Sequence, residues 1–134
     1  MQRRILVVDD ETKTTDEIRA GLENSGYSAD TCNDPETVLS IFKSGIYDLL
    51  ILDVGLPHMD GFALYEKIRD LDGKVKVCFM SDSNAHDEEF LTLFPIWNAR
   101  DFFHKPVMIR DLIEHIKETE VWNSMRISEI ISAP

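Results

Sequence analysis

The feature that most constrains the fold of this chain is a regular alternation of short apolar runs with segments of helical period. Three runs carry almost no polar residue, as is typical of strands that are covered on both faces. They lie at residues 5–8, 49–52 and 75–80, the last interrupted only by Lys76. Residues 27–32 alternate in polarity, as in an edge strand with one solvent-facing side, and residues 101–103 are a shorter fifth candidate.

The segments between these runs carry apolar residues at helical spacing. The positions are Ile18 and Leu22; Val38, Leu39 and Phe42; Leu64, Ile68 and Leu71; and Ile109, Leu112, Ile113 and Ile116. Asp34 and Pro35 form a favourable N-cap and first-turn pair for the second helix. Pro95 cannot lie inside an undisturbed helix, so we expect the fourth predicted helix, which lies between the fourth and fifth strands, to be short, kinked or ended near Phe94. Strands and helices alternate five times, which predicts an α/β fold with a parallel sheet and helices on both faces.

Length and charge limit the classes of function. The 134 residues suffice for one domain, and 25 acidic against 14 basic residues give a formal net charge of -11. A negative field repels phosphate backbones, so we expect no direct nucleic-acid binding and a preference for cations or basic protein surfaces. No run approaches the length of a membrane span, and residues 1–4 do not begin a signal peptide. We therefore expect a cytoplasmic protein without membrane association, with Cys32 and Cys78 as reduced, buried residues.

Polar residues able to do chemistry follow the predicted strands. They are Asp9 and Asp10 after the first run, Asp53 after the third, Ser81 after the fourth and Lys105 after the fifth. Each alone is common in turns and caps, but in an open parallel sheet all of them converge on one edge, where ligands bind. Three close carboxylates raise one another's pKa, and Mg2+ relieves that repulsion. An aspartate can act as the nucleophile in phosphoryl transfer, so the pattern favours a Mg2+-dependent acceptor site.

Four segments of the chain together resemble the signature of response-regulator receiver domains. They are residues 8–11, 52–61, 80–81 and 101–106. The resemblance covers residues 3–118, and its most specific part is the Asp-x-x-Leu-Pro-x-Met-Asp-Gly pattern that begins at Asp53. It implies a flavodoxin-like, doubly wound sheet of five parallel strands in the order 2-1-3-4-5. It also implies that a sensor histidine kinase or histidine phosphotransfer protein donates a phosphoryl group, and that the domain then changes conformation to control a downstream protein.

The resemblance further implies the roles of the reacting residues. Asp53 would be the phosphoacceptor, Lys105 would pair with its carboxylate and then with the phosphoryl group, and Ser81 would hydrogen-bond that group. Phe102 occupies the position of the aromatic switch. The bond between Lys105 and Pro106 should be cis, as in the family. Such a domain catalyses only its own phosphorylation and dephosphorylation, and we expect no other enzymatic activity.

A metal site is implied in the same way. Asp10, Asp53 and the backbone carbonyl of Gly55 would hold Mg2+ directly, and Asp9 would act through water. A phosphoester hydrolase with an aspartate nucleophile is disfavoured, because Gly55 stands where such enzymes place their second carboxylate. A dinucleotide-binding enzyme is disfavoured as well, since no glycine-rich turn follows the first strand.

Three departures from the family pattern keep an alternative open. Asp82 stands where a small residue is usual, and Asn98 stands where glycine is common. The interval from Ser81 to Lys105 is roughly two residues longer than usual, a length change that loops tolerate. The insertion and Pro95 fall in the region that forms the output surface in the family. The alternative is a receiver-like protein-interaction module that no longer switches by phosphorylation.

The last residues of the chain are not typical of a polar linker. We assign residues 1–118 to the receiver domain and residues 119–134 to a C-terminal helical extension or the start of a linker. The apolar residues of this tail are Val121, Trp122, Met125, Ile130 and Ile131. Burial of apolar area stabilises by about 25 cal/mol per Å2. We therefore expect residues 119–131 to continue or restart a helix that packs on the domain or against a second subunit in a homodimer.

Overall fold

The computed structural model describes residues 3–56, 60–81 and 102–118. These residues form one sheet of five strands: β1 (Arg4–Val8), β2 (Ser28–Cys32), β3 (Leu49–Asp53), β4 (Lys76–Ser81) and β5 (Phe102–His104). Every neighbouring pair is parallel, and the order across the sheet is β2-β1-β3-β4-β5. The predicted flavodoxin-like topology is confirmed.

Four helices connect or follow these strands in the described residues. They are α1 (Thr12–Asn24), α2 (Pro35–Ile41), α3 (Gly61–Leu71) and α4 (residues 109–118). Two begin at an aspartate N-cap: the Asp34 side chain accepts a hydrogen bond from the Glu36 N–H, and Asp60 accepts one from the Ala63 N–H at 2.7 Å. Each cap satisfies a helix N–H that has no partner inside the helix. The predicted start of α2 at Asp34 and Pro35 is thus confirmed.

The sheet separates two apolar clusters. On one face Val38 of α2 and Leu64 and Ile68 of α3 pack on the strands. On the other face the buried residues of α1 and α4 do so: Ile18, Leu22, Leu112, Ile113 and Ile116. Alternate residues of β1 enter different clusters, because successive side chains of a strand point to opposite faces. This is why the central strands are continuously apolar, as predicted.

One predicted core position is wrong. Leu71 is 54% exposed, whereas Tyr65, which the helical pattern did not select, is 9% exposed and belongs to the core. Leu71 is the last residue of α3, and the buried stripe of that helix runs through residues 61, 64, 65 and 68. Phe42 is buried as predicted, but it is the C-cap of α2 rather than part of the helix.

Several expectations concern residues outside the described ranges. They are those on Asp82, Pro95, Asn98 and residues 119–134. Within the described part of the chain, no helix has the length and apolar character needed to cross a bilayer. Both cysteines are free and buried, in agreement with the sequence-based expectation.

Candidate functional site

The carboxyl edge of the sheet gathers three aspartates and a lysine. Asp9 and Asp10 directly follow β1, and Asp53 is the last residue of β3. One carboxylate oxygen of each aspartate lies within 4.8 Å of an oxygen of the other two. Lys105, two residues after Phe103 of β5, places its Nζ 2.9 Å from Asp53 Oδ2 and 2.6 Å from Asp9 Oδ2. The structure therefore brings together four of the residues that the sequence singled out.

The charges of this cluster are held in a largely buried place. Asp9 is fully buried, Asp53 is 5% exposed, and only Asp10 faces solvent. Burial raises the pKa of Asp9 to about 6, and the nearby charge of Asp53 adds to the rise, although Lys105 and the Glu11 N–H oppose it. Burial alone lowers the pKa of Lys105, but its contacts with the two aspartates outweigh that effect, and the net direction is upward. An ammonium thus partly balances carboxylates that burial disfavours.

The donor set of the cluster fits Mg2+. Asp9 Oδ2 is buried, and in the described residues its partner is the Lys105 ammonium at 2.6 Å, which leaves further acceptor capacity on this oxygen. A buried carboxylate oxygen with free acceptor capacity, next to two more carboxylates, offers the hard oxygen ligands that Mg2+ prefers. Asp10 is exposed, so water can reach the same place, and Mg2+ usually retains several waters.

Two glycines lie next to Asp53, Gly55 beside its carboxylate and Gly61 against its backbone. Asp53 Oδ1 accepts a hydrogen bond from the Gly55 N–H at 3.0 Å, and a Cβ on Gly55 would lie 3.7 Å from that oxygen. A Cβ on Gly61, at the start of α3, would collide with the Asp53 backbone carbonyl. The loop after β3 and the beginning of α3 therefore both lie against the acceptor residue.

Ser81 and Phe102 complete the predicted set. Ser81 is fully buried at the end of β4, next to β3, and its carbonyl accepts the Lys105 N–H at 2.7 Å. This hydrogen bond ties the end of β4 to the residue that carries the ammonium. Phe102 is half-buried, and its ring lies 6.2 Å from that of Phe79 and 6.4 Å from that of Phe62. The Lys105–Pro106 peptide bond is cis, as predicted.

Asn33 is a residue of this edge that the sequence reasoning missed. Its Nδ2 donates to the Asp9 carbonyl at 2.7 Å and to Thr15 Oγ1 at 3.1 Å. The Asp9 N–H in turn donates to the Cys32 carbonyl at 3.2 Å. These bonds fix the backbone of Asp9 between β2 and α1. Asn33 directly follows β2, so the rule that selected Asp53 at the end of β3 would have selected it as well.

The family model for the response regulator receiver domain matches residues 5–117 of this chain. The chain therefore belongs to the response regulator receiver domain family. It is a receiver domain of the kind found in two-component response regulators.

Individual relatives agree with this assignment. The chain is 34% identical to the transcriptional regulatory protein PcoR of Escherichia coli, over 86% of this chain and 50% of PcoR. It is 32% identical to the alkaline phosphatase synthesis transcriptional regulatory protein PhoP of Bacillus subtilis, over 87% of this chain and 48% of PhoP. The chain thus spans about half the length of the curated relatives that it matches.

Solved structures share the fold. A CheY-like response regulator receiver domain protein from Methanospirillum hungatei JF-1 superposes with a TM-score of 0.80 and 28% identity, over 94% of this chain and 99% of that one. The non-phosphorylated HemR receiver domain from Leptospira biflexa gives a TM-score of 0.75 over 87% of this chain and 93% of that one. Its identity of 24% supports the fold alone.

Proposed function

We propose that this domain accepts a phosphoryl group on Asp53 from a sensor histidine kinase or a histidine phosphotransfer protein. The reaction requires Mg2+, and the phosphorylated domain changes conformation to control a downstream protein. The observation that carries the proposal is the hydrogen bond from Lys105 Nζ to Asp53 Oδ2 at 2.9 Å, inside a cluster of three carboxylates. A lysine in this position can balance the negative charge of the acceptor and of the incoming phosphoryl group.

The transfer needs one nucleophile and little further covalent chemistry. A carboxylate oxygen of Asp53 attacks the phosphorus while the bond from phosphorus to the donor histidine nitrogen breaks, and that nitrogen keeps the electron pair. The product is an acyl phosphate on Asp53. The Gly55 N–H and the Lys105 ammonium hold the two carboxylate oxygens at 3.0 Å and 2.9 Å, which fixes the orientation of the nucleophile.

Four groups of the chain are proposed to hold the metal. They are the carboxylates of Asp10 and Asp53 and the Gly55 carbonyl, with Asp9 acting through water. Bound Mg2+ would supply charge neutralisation for the carboxylates and for the phosphoryl oxygens. Ser81 is proposed to hydrogen-bond the phosphoryl group, because it ends the strand next to β3 at the same edge.

We propose proteins in the cytoplasm as the direct partners of this domain. Its formal charge of -11 repels the phosphate backbone of DNA and attracts basic protein surfaces. PcoR and PhoP are named transcriptional regulatory proteins, and this chain matches only about half of each. Any contact with DNA in a protein of that kind is therefore proposed to lie outside the receiver domain.

Intact-mass measurement after incubation with acetyl phosphate and Mg2+ tests the proposal. The protein should gain one phosphoryl mass, whereas Asp53→Asn, or chelation of the metal, should prevent it. Asp70→Asn is the matched control, because Asp70 is exposed on α3 and should not affect labelling. Equal labelling of Asp53→Asn would overturn the acceptor assignment. A folded protein that binds Mg2+ but is never labelled would favour the alternative, an interaction module that does not switch by phosphorylation.

A further inference from the structure

A cavity lies at the edge of the sheet opposite the carboxylate cluster. Its volume is about 540 Å3, within the usual range for ligand-binding pockets. We call it the basal cavity, because residues from the first halves of β1, β3 and β4 line it, including Ile5, Leu49 and Lys76. Its apolar lining also includes Cys78 and Ile116, and the exposed Leu71 lies at its margin.

The margin of the basal cavity carries uncompensated positive charge. Neither Lys74 nor Lys76 forms an ion pair with any residue that the structure describes. Of the two carboxylates of the cavity, Asp48 pairs with Arg3 at 3.5 Å and the charge of Asp72 attracts Lys74, so the Lys76 ammonium is left without a carboxylate partner in the described residues. In a domain of net charge -11, an ammonium group without a carboxylate partner beside an apolar lining favours an occupant that combines a carboxylate with apolar side chains.

The C-terminal part of the chain leaves the described structure beside this cavity. Helix α4 starts near the carboxyl edge and returns along the sheet, so that His115 and Ile116 line the basal cavity. The sequence that follows residue 118 contains Glu120, Val121 and Trp122. These residues offer the combination of carboxylate and apolar side chains that the cavity favours.

We propose that the basal cavity is the docking site for residues 119–125 of the same chain. Trp122 occupies the apolar lining, and Glu120 faces Lys74 and Lys76. The reach is sufficient: four residues beyond residue 118 span up to ~14 Å, and a sphere of this volume is about 10 Å across. Because the segment is tethered, its effective concentration at the cavity is in the mM range for a short connection. The proposal does not depend on phosphorylation of the domain.

Fluorescence of Trp122 in the full chain tests the proposal. The chain has two tryptophans, so Trp97→Phe leaves Trp122 as the only one. Its emission should be shifted to shorter wavelength, and iodide should quench it at least ~3-fold less than in the urea-unfolded protein, as for a ring that buries most of its surface. If circular dichroism shows that Trp97→Phe does not fold, Trp97→Tyr or fluorotryptophan NMR of the unaltered chain gives the same readout.

Charge variants locate the docking site. In the single-tryptophan background, Lys76→Glu should raise the iodide quenching of Trp122 at least ~2-fold by repelling the acidic segment. Lys67→Glu makes the same change of charge at an exposed position of α3 that does not line the cavity, and quenching should stay unchanged.

Three results would overturn the proposal. Quenching of Trp122 equal to that of the unfolded protein would mean that the segment does not dock. Shielding that Lys76→Glu leaves unchanged would place the segment elsewhere. Shielding that appears only at concentrations where sedimentation shows a dimer would make a second copy of the chain, rather than the same chain, the source of the segment.

Discussion

Replacing Asp9 by asparagine should stabilise the metal-free protein. The Asp9 carboxylate is fully buried beside Asp53, and burial raises its pKa to about 6. Asparagine removes the negative charge but keeps an oxygen that can accept the Glu11 N–H, which now donates to Asp9 Oδ1 at 2.9 Å. The charge is thus removed with little change of shape, and Lys105 then pairs with Asp53 alone, while the third carboxylate of the cluster, Asp10, is exposed to solvent.

The expected gain follows from the pKa. A rise from 3.8 to about 6 corresponds to ~3 kcal/mol, at ~1.4 kcal/mol for each tenfold change in the ionisation constant. This figure already includes the contact with Lys105, but an asparagine whose oxygen accepts the Glu11 N–H turns its amide NH2 towards the Lys105 ammonium, which offsets part of the gain, so we expect a net gain of about 1–2 kcal/mol. For a domain of this size that is a rise in Tm of roughly 3–10 °C.

The pH dependence has a defined sign. A carboxyl whose pKa is higher in the folded state makes the folded protein bind more protons than the unfolded one between pH 3.8 and about 6. The cost of the Asp9 charge is therefore fully present above pH 6 and disappears as the pH falls towards 4. The advantage of Asp9→Asn should follow the same course, largest at pH 7.5 and smallest near pH 4.

Thermal unfolding followed by circular dichroism measures this effect. At pH 7.5 in EDTA the variant should melt above the wild type, and saturating Mg2+ should narrow the difference, because the metal relieves the same repulsion in the wild type. Asp70→Asn, an exposed substitution of the same kind, should change Tm little. A lower Tm for Asp9→Asn in EDTA at pH 7.5 would refute the reasoning, because it would mean that the contact with Lys105 outweighs the cost of burial.

Three further predictions concern the metal ligands, α3 and the edge of the sheet. In a Mg2+ titration Asp10→Asn should weaken Mg2+ binding more than Asp9→Asn, since water can partly substitute for the Asp9 carboxylate. The reverse order would mean that Asp9 is the direct ligand and that Asp10 acts through water. Gly61→Ala should lower the free energy of unfolding in urea by about 1–3 kcal/mol and slow the labelling by acetyl phosphate, because the added Cβ would collide with the backbone of Asp53. A stability and a labelling rate equal to those of the wild type would contradict this prediction. Tyr47 donates to Asp30 Oδ2 at 2.7 Å, and burial followed by this bond raises the pKa of Tyr47 to about 12. The wild type should therefore be more stable than Tyr47→Phe by about 1–2 kcal/mol at pH 8. This difference in the free energy of unfolding should shrink between pH 10 and 12, and a constant difference would mean that the hydrogen bond of the neutral hydroxyl is not its cause.

The fold could be predicted from the sequence because its strongest signal is local. Residues 5–8 and 49–52 are continuously apolar only because each strand is covered on both faces, and that pattern is visible without any three-dimensional information. The order of the strands is not local, and it came from the resemblance to receiver domains. Leu71 was placed wrongly because the helical period of the sequence does not reveal at which residue the buried stripe of α3 ends.

The residues of the candidate site could also be predicted from the sequence where they directly follow strands. Asp9 and Asp53 were found because parallel strands end at one edge, and the structure places their carboxylates together. The contact between Asn33 and the Asp9 carbonyl was not found, since it depends on the register between β1 and β2. The same limit applies to Gly61, whose close approach to Asp53 depends on how α3 lies on β3.

The sheet acts as a partition between two apolar clusters that have no side chain in common. Substitutions on its two faces should therefore be energetically additive, because the affected side chains share no neighbours. In evolution, residues on one face of the sheet can therefore be substituted without compensating substitutions on the other face. For protein engineering, the helices on one face could be exchanged for those of another receiver domain together with the strand residues that they cover. If α1 and α4 were exchanged in this way, α2 and α3 on the other face would keep their present packing, and Asp53 would keep its glycine neighbours.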